Sequence, residues 1–97
     1  MHKIVKVKEF SIEAPYTLHL IFDDSVRQTI NFLPILHGEM FGLLRDVSVF
    51  NQVKLDNEVG TIVWPNGADF DPAMLHDWNT YEKEIIQRSK QWKLVEH

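Results

Sequence analysis

The side chains best suited to chemistry lie close together between residues 66 and 76. Asn66, Asp69 and Asp71 offer oxygen ligands at short spacing, which is the ligand type that a hard cation needs. His76 titrates near neutral pH, so it could form an acid–base pair with the two aspartates. The stretch lacks the Asp-x-Asp-x-Asp-Gly order of an EF-hand, and no nucleophile is visibly arranged with His76. Because His76 lies off the apolar spacing around it, we expect it to be solvated.

The same stretch also has a purely structural interpretation. Trp64 is assigned to the core, and Asn66-Gly67 supplies a turn with positive φ. Asp69 is expected to accept hydrogen bonds from free backbone amides of the loop. Asp71 is a good N-cap for a following helix, and Pro72 suits the first helical position. We favour this interpretation, with a partner-contact loop and a metal site as the alternatives.

Composition excludes several classes of function. The 97 residues fit one domain, here residues 1–97. No cysteine is present, which excludes disulfides, thiolate nucleophiles, zinc fingers and iron–sulfur clusters. No apolar run approaches the roughly 20 residues of a membrane span, and the N-terminus has no signal-peptide core. We therefore expect a cytoplasmic protein that does not enter membranes.

The charge pattern disfavours direct nucleic-acid binding by this chain alone. The formal net charge is −4, whereas duplex-binding domains usually carry a basic footprint. Lys3, Lys6 and Lys8 cluster near the start, and Arg27 is the other basic candidate. Recognition of nucleic acid through these four residues is kept as an alternative function.

The first half of the chain predicts three strands and one short helix. Residues 3–10, 16–22 and 26–32 alternate apolar and polar side chains, which is typical of an antiparallel sheet with one buried face. Leu36, Met40, Phe41, Leu43 and Leu44 then follow helical spacing between Pro34 and Asp46. This spacing predicts one helix of two or three turns.

The second half predicts two more strands and a terminal helix. Residues 50–56 and 61–64 are the strands, with a turn at residues 57–60, and Pro65 ends the last strand because it lacks an N–H. The helix follows Asp71 and is either continuous or interrupted at Asn79-Thr80. The predicted fold is α+β in the order β-β-β-α-β-β-α, an antiparallel sheet with helices packed on it.

The terminal helix is the best candidate for binding. Apolar residues at helical spacing are Met74, Leu75, Trp78, Tyr81, Ile85 and Trp92. Through Trp78 we assign this stripe to the core. Beyond Tyr81 we expect Ile85, Ile86 and Trp92 to form an exposed apolar patch, which usually marks an interface. The predicted partner-binding residues are therefore Ile85, Ile86, Trp92 and Tyr81, followed by Asn66 and Asp69 in the loop.

Three segments of the sequence carry a family resemblance. Residues 60–72, with Trp64-Pro65-Asn66-Gly67 at their centre, resemble the signature of the bacterial domain of unknown function 2442 family. Residues 41–53 and the turn at residues 22–27 are also similar, so the resemblance covers about residues 3–78. It implies a small α+β domain without established catalytic residues.

The same resemblance bears on function. Some relatives carry an added helix-turn-helix domain, and others are encoded beside a second small protein, which implies a toxin–antitoxin-like pairing. Only 19 residues follow Trp78, which we interpret as a helical extension and not as a helix-turn-helix unit.

From these observations we predict that the chain is a non-enzymatic protein-interaction module, regulatory or antitoxin-like. We expect it to form a homodimer or to pair with a small protein. We expect no cofactor, metal or small-molecule substrate. The alternatives are a small enzyme using Asp69, Asp71 and His76, and a nucleic-acid-associated regulator.

Overall fold

A computed structural model describes the backbone of residues 4–95 and the side chains of residues 4–91. Within this part, two sheets and several helices alternate along the chain. The elements are β1 (Val7–Ala14), β2 (Thr17–Phe22), β3 (Arg27–Asn31), α1 (Gly38–Phe41), α2 (Val47–Phe50), β4 (Lys54–Asp56), β5 (Thr61–Val63), α3 (Pro72–His76) and α4 (Trp78–Val95). Single 3-10 turns lie at Leu33–Ile35 and Gly42–Arg45. The predicted α+β class is confirmed.

The first sheet is antiparallel in the order β1-β2-β3. Its inner face buries Leu18, Leu20 and Phe22 of β2 together with Ile30 of β3, so the predicted alternation is confirmed. On the outer face, the His19 ring lies 2.9 Å from the Thr29 hydroxyl. The sheet therefore presents one apolar face to the helices and one polar face to solvent.

The second sheet contains only β4 and β5. The described strands are all antiparallel, as predicted, but they are divided between two sheets. The Val7 amide donates to the Gly60 carbonyl at 2.8 Å, which joins the turn before β5 to the start of β1. Gly60 has a φ of +73°, and a Cβ there would lie 2.5 Å from Cγ of Lys6. Only glycine fits this close approach without displacement.

The predicted middle helix is instead a chain of single helical turns. Gly38 has a φ of +89° at the start of α1. Asp46 is extended, with ψ at 113°, and its carboxylate accepts from the Ser48 amide, so it begins a new helix, α2. Phe50, predicted to start a strand, is the last residue of this helix. The extended His37 and the positive φ of Gly38 thus break the predicted helix near its start, and Asp46, its predicted boundary, separates it from α2.

Aromatic side chains form the centre of the core. The Phe32 ring contacts Phe50, Trp64, Phe70 and Trp78 at centroid separations between 5.2 and 6.1 Å. Buried indole N–H groups need an acceptor, and Trp64 Nε1 donates to the Phe50 carbonyl at 2.8 Å. This cluster joins the first sheet, the middle turns and the C-terminal helices.

Candidate functional site

The loop after β5 is organised by its own side chains. Gly67, with φ at +89°, forms the turn, and its amide donates to the Trp64 carbonyl at 2.9 Å. Asn66 accepts from the Ala68 amide at 3.1 Å and donates to the Met40 carbonyl at 2.9 Å. Asn66 therefore stabilises the turn of the loop through Ala68 and links the loop to α1 through Met40.

The two aspartates of the loop have different environments. Asp71 is the N-cap of α3 and accepts from the Ala73 amide at 2.9 Å, and Pro72 follows it as the first helical residue. Asp69 is exposed and lies opposite Val63 in an isolated β-bridge. The bond to a loop amide that we expected from Asp69 is made by Asn66 instead.

His76 is largely buried, so the expectation that it is solvated is wrong. Its side chain is only 13% exposed. Nε2 lies 2.7 Å from the Asp24 carboxylate in the β2–β3 turn, and Nδ1 lies 2.7 Å from Asp77. The ring also meets Phe22 edge-on at 5.0 Å. We call Asp24, His76 and Asp77 the histidine latch.

The two carboxylate contacts of the histidine latch favour a protonated imidazole. A neutral ring has one N–H donor, whereas two carboxylates here accept from its two nitrogens. The hydrogen bond that His76 donates to Asp77 raises the pKa of His76 most, burial opposes it, and the bond to Asp24 and the charge of Asp24 raise it further. Gln28 also donates to the His76 carbonyl at 2.7 Å. The end of α3 is thus held on the first sheet by charged and neutral hydrogen bonds.

A groove of about 450 Å³ lies between α3 and α4. It forms because the chain bends at Asp77, whose backbone leaves the helical region. The sequence leaves open a continuous helix or an interruption at Asn79-Thr80, and the break lies just before that site. The lining residues are Asp71, Ala73, Met74, Tyr81, Glu84, Ile85 and Arg88. Apolar side chains lie beside charged ones here, and Arg88 pairs with Glu84 at 2.8 Å.

The predicted interface residues on α4 separate into two groups. Ile85 is 9% exposed and belongs to the core, and Ile86 packs against that core. The exposed patch expected at these two residues is therefore wrong, because α4 lies on the Leu33–Ile35 turn and on α1. Tyr81 is 40% exposed and lines the groove. The side chain of Trp92 lies outside the described residues.

The remaining candidates do not converge on one site. Lys6, Lys8 and Arg27 are exposed, and Lys3 lies outside the described part of the chain. Among the described residues, no group of three or more His, Asp or Glu side chains is placed to hold a metal ion. None of the helices described is both long enough and apolar enough to cross a membrane.

Sequence reasoning missed three functional candidates. Asp24 gave no signal, because it looks like an ordinary turn residue 52 positions from His76. Glu84 and Arg88 follow Tyr81 by three and seven residues, so helical spacing could have placed them on its face.

Comparison with known proteins identifies the family. Residues 7–81 match the family described as Protein of unknown function (DUF2442). Neither the curated proteins nor the solved structures gave a match. The matched segment runs from β1 into α4 and contains the loop after β5 and the histidine latch. Of the residues that line the groove, it contains Asp71, Ala73, Met74 and Tyr81. Since this match covers most of the chain, the protein belongs to the DUF2442 family.

Proposed function

We propose that this chain is a non-enzymatic protein-interaction module whose contact surface is the groove between α3 and α4. The observation that carries the proposal is the groove itself, about 450 Å³ in volume and lined by both apolar and charged side chains. It is built from two helices that are each anchored to the core, so it is a preformed surface. Helices commonly dock into grooves of this kind by inserting apolar side chains.

The lining of the groove has the composition of an interface centre. Tyr81 is an aromatic side chain with 40% of its surface exposed, and Met74 and Ile85 lie beside it. Aromatic residues and methionine are enriched at protein interfaces, and binding energy concentrates on such anchors. Asp71, Glu84 and Arg88 provide a charged rim that can select a partner and fix its orientation.

We further infer that the chain acts in the cytoplasm as a homodimer or with a small partner protein. The regulatory or antitoxin-like role follows from the family resemblance of residues 60–72 and is part of this proposal. Absence of cysteine agrees with a reducing compartment.

The alternative of an enzyme using Asp69, Asp71 and His76 gains no support from the geometry. Asp71 lines the groove, whereas His76 has both ring nitrogens bonded to Asp24 and Asp77. The three side chains would have to share a pocket for acid–base chemistry, and the groove contains only one of them. We therefore retain the interaction module as the proposed function.

Co-purification from cells that express the chain natively tests the proposal. We compare the tagged wild type with Tyr81→Glu, which places a charge in the groove, and with Leu43→Glu as a matched control. Leu43 is also an exposed apolar residue, 58% exposed, but it does not line the groove. We expect a stoichiometric partner, either a second copy or another protein, with the wild type and Leu43→Glu only.

If the wild type is recovered alone and sediments as a monomer, the proposal is wrong. It is equally wrong if Tyr81→Glu, folded by circular dichroism, retains the partner as well as the wild type does.

A further inference from the structure

Charge is distributed unevenly along α4. The first half of the helix contains Glu82, Lys83 and Glu84, and the second half contains Arg88, Lys90 and Lys93. On the groove face the charged residues of α4 are only Glu84 and, one turn later, Arg88. An acidic residue followed by a basic one makes this face complementary to a reversed copy of itself.

The groove residues of α4 lie on one face. Tyr81, Glu84, Ile85 and Arg88 are separated by three or four residues and all line the groove. Glu84 and Arg88 form an ion pair with each other, but their side chains are 54% and 67% exposed. Both therefore remain accessible to an opposite charge on a second helix.

We propose that the occupant of this groove is α4 of a second copy, packed antiparallel about a two-fold axis. This inference rests on the proposed function and names its partner. In the antiparallel arrangement Glu84 faces Arg88 of the second copy, and the reciprocal pair forms by symmetry, with the two-fold axis passing between Glu84 and Arg88 on the groove face. Asp71, on the α3 side of the groove, adds a further negative charge to the lining that receives Arg88 of the second copy.

A parallel arrangement is disfavoured by the same charges. Two-fold symmetry would then place Glu84 beside Glu84 and Arg88 beside Arg88 of the second copy, and like charges at an interface are repulsive. Exposed ion pairs supply little affinity by themselves. In this dimer they set the orientation, while Tyr81 and Met74 supply the apolar contact.

Charge reversal tests the pairing. Glu84→Arg places two arginines opposite each other at both symmetric positions, and Arg88→Glu places two glutamates there. We expect each variant to weaken dimerisation by about tenfold or more, measured by sedimentation velocity over a concentration series. An equimolar mixture of the two variants should form a heterodimer, because every facing pair is then of opposite sign. The double variant Glu84→Arg/Arg88→Glu should dimerise like the wild type.

Lys90→Glu is the matched control. It makes the same charge change as Arg88→Glu, two residues along α4, at an exposed position that does not line the groove. This variant should remain dimeric. Circular dichroism of each variant checks that α4 stays folded.

The self-pairing is wrong if the wild type is a monomer. It is also wrong if both charge-reversal variants dimerise as tightly as the wild type, or if the equimolar mixture of the two variants stays monomeric. If the wild type does not self-associate but co-purifies with a different protein that Tyr81→Glu does not bind, the self-pairing is wrong and the proposed function stands. If neither a dimer nor a partner is found, both fail.

Discussion

His76 joins three parts of the molecule. Its ring bonds Asp24 of the β2–β3 turn and Asp77 of the α3–α4 bend, and its carbonyl accepts from Gln28 of β3. Hydrogen bonds that involve charged groups contribute roughly 1.5–3 kcal/mol, more than neutral ones. The free energy of unfolding should therefore depend on the proton of this one side chain.

The raised pKa of His76 predicts how stability changes with pH. Because the folded protein binds the proton more tightly than the unfolded chain, the stabilisation is fully present below the ordinary histidine pKa of 6.5. It is lost as the pH rises through the raised pKa of the folded state. We expect urea unfolding, followed between about pH 5.5 and 8.5, to show this fall in the wild type.

His76→Gln should remove that fall and cost about 1–3 kcal/mol at the acidic end of the range. His19→Gln is the control, since the His19 ring lies on the outer face of the first sheet and contacts the neutral Thr29 hydroxyl. Equal pH dependence in the wild type and in His76→Gln would show that the histidine latch contributes no proton-linked stability.

The loop residues Asn66 and Asp69 should differ in their effect on stability. Asn66→Ala removes two hydrogen bonds, to Ala68 and to Met40, and should lower the free energy of unfolding by about 1–2 kcal/mol. Asp69→Ala changes an exposed side chain and should stay within about 0.5 kcal/mol of the wild type. Thermal unfolding of the two variants compares them directly, and equal losses would contradict the assignment of Asn66 as the loop's anchor.

At the scale of the element, α4 is attached to the domain by its buried face. Ile85 and Ser89 are buried, and the Ser89 hydroxyl lies 3.4 Å from the Pro34 carbonyl in the Leu33–Ile35 turn. On the groove face Tyr81 and Arg88 are exposed, and Ile85 lies at the border between the two faces. The helix α4 thus packs against the core along one side and carries the proposed binding surface along another.

Replacing Ile85 tests this division. Ile85→Ser removes a core side chain and should lower the free energy of unfolding by about 2–5 kcal/mol. Gln87→Ser, at an exposed position of the same helix, should cost less than about 1 kcal/mol. If Ile85→Ser unfolds at the same urea concentration as the wild type, the packing of α4 on the core is wrong.

Sequence patterns predicted some elements better than others. The strands of the first sheet were found because alternation along Leu18, Leu20 and Phe22 reports burial on one face. The middle segment was predicted as one helix from Leu36 because apolar spacing was read without the extended backbone of His37 or the positive φ of Gly38. Short segments are decided by such local backbone contacts, which periodicity does not capture.

At the scale of the whole molecule, the groove depends on how distant parts meet. Tyr81 was predicted as a contact residue from the sequence, but its neighbour Met74 joins it only because the chain bends at Asp77. That bend is held by Asp24, which is 52 residues before His76. Helical spacing can identify one wall of such a groove, whereas the opposite wall is set by tertiary contacts.

Amide hydrogen exchange tests the central claim, that the groove between α3 and α4 is the protein-binding surface. The assembly formed by the wild type is compared with the Tyr81→Glu monomer. We predict that added protection concentrates on Pro72–His76 and on the α4 segment from Tyr81 to Arg88. Added protection confined to the outer face of the first sheet, or the same exchange in both proteins, would contradict the account.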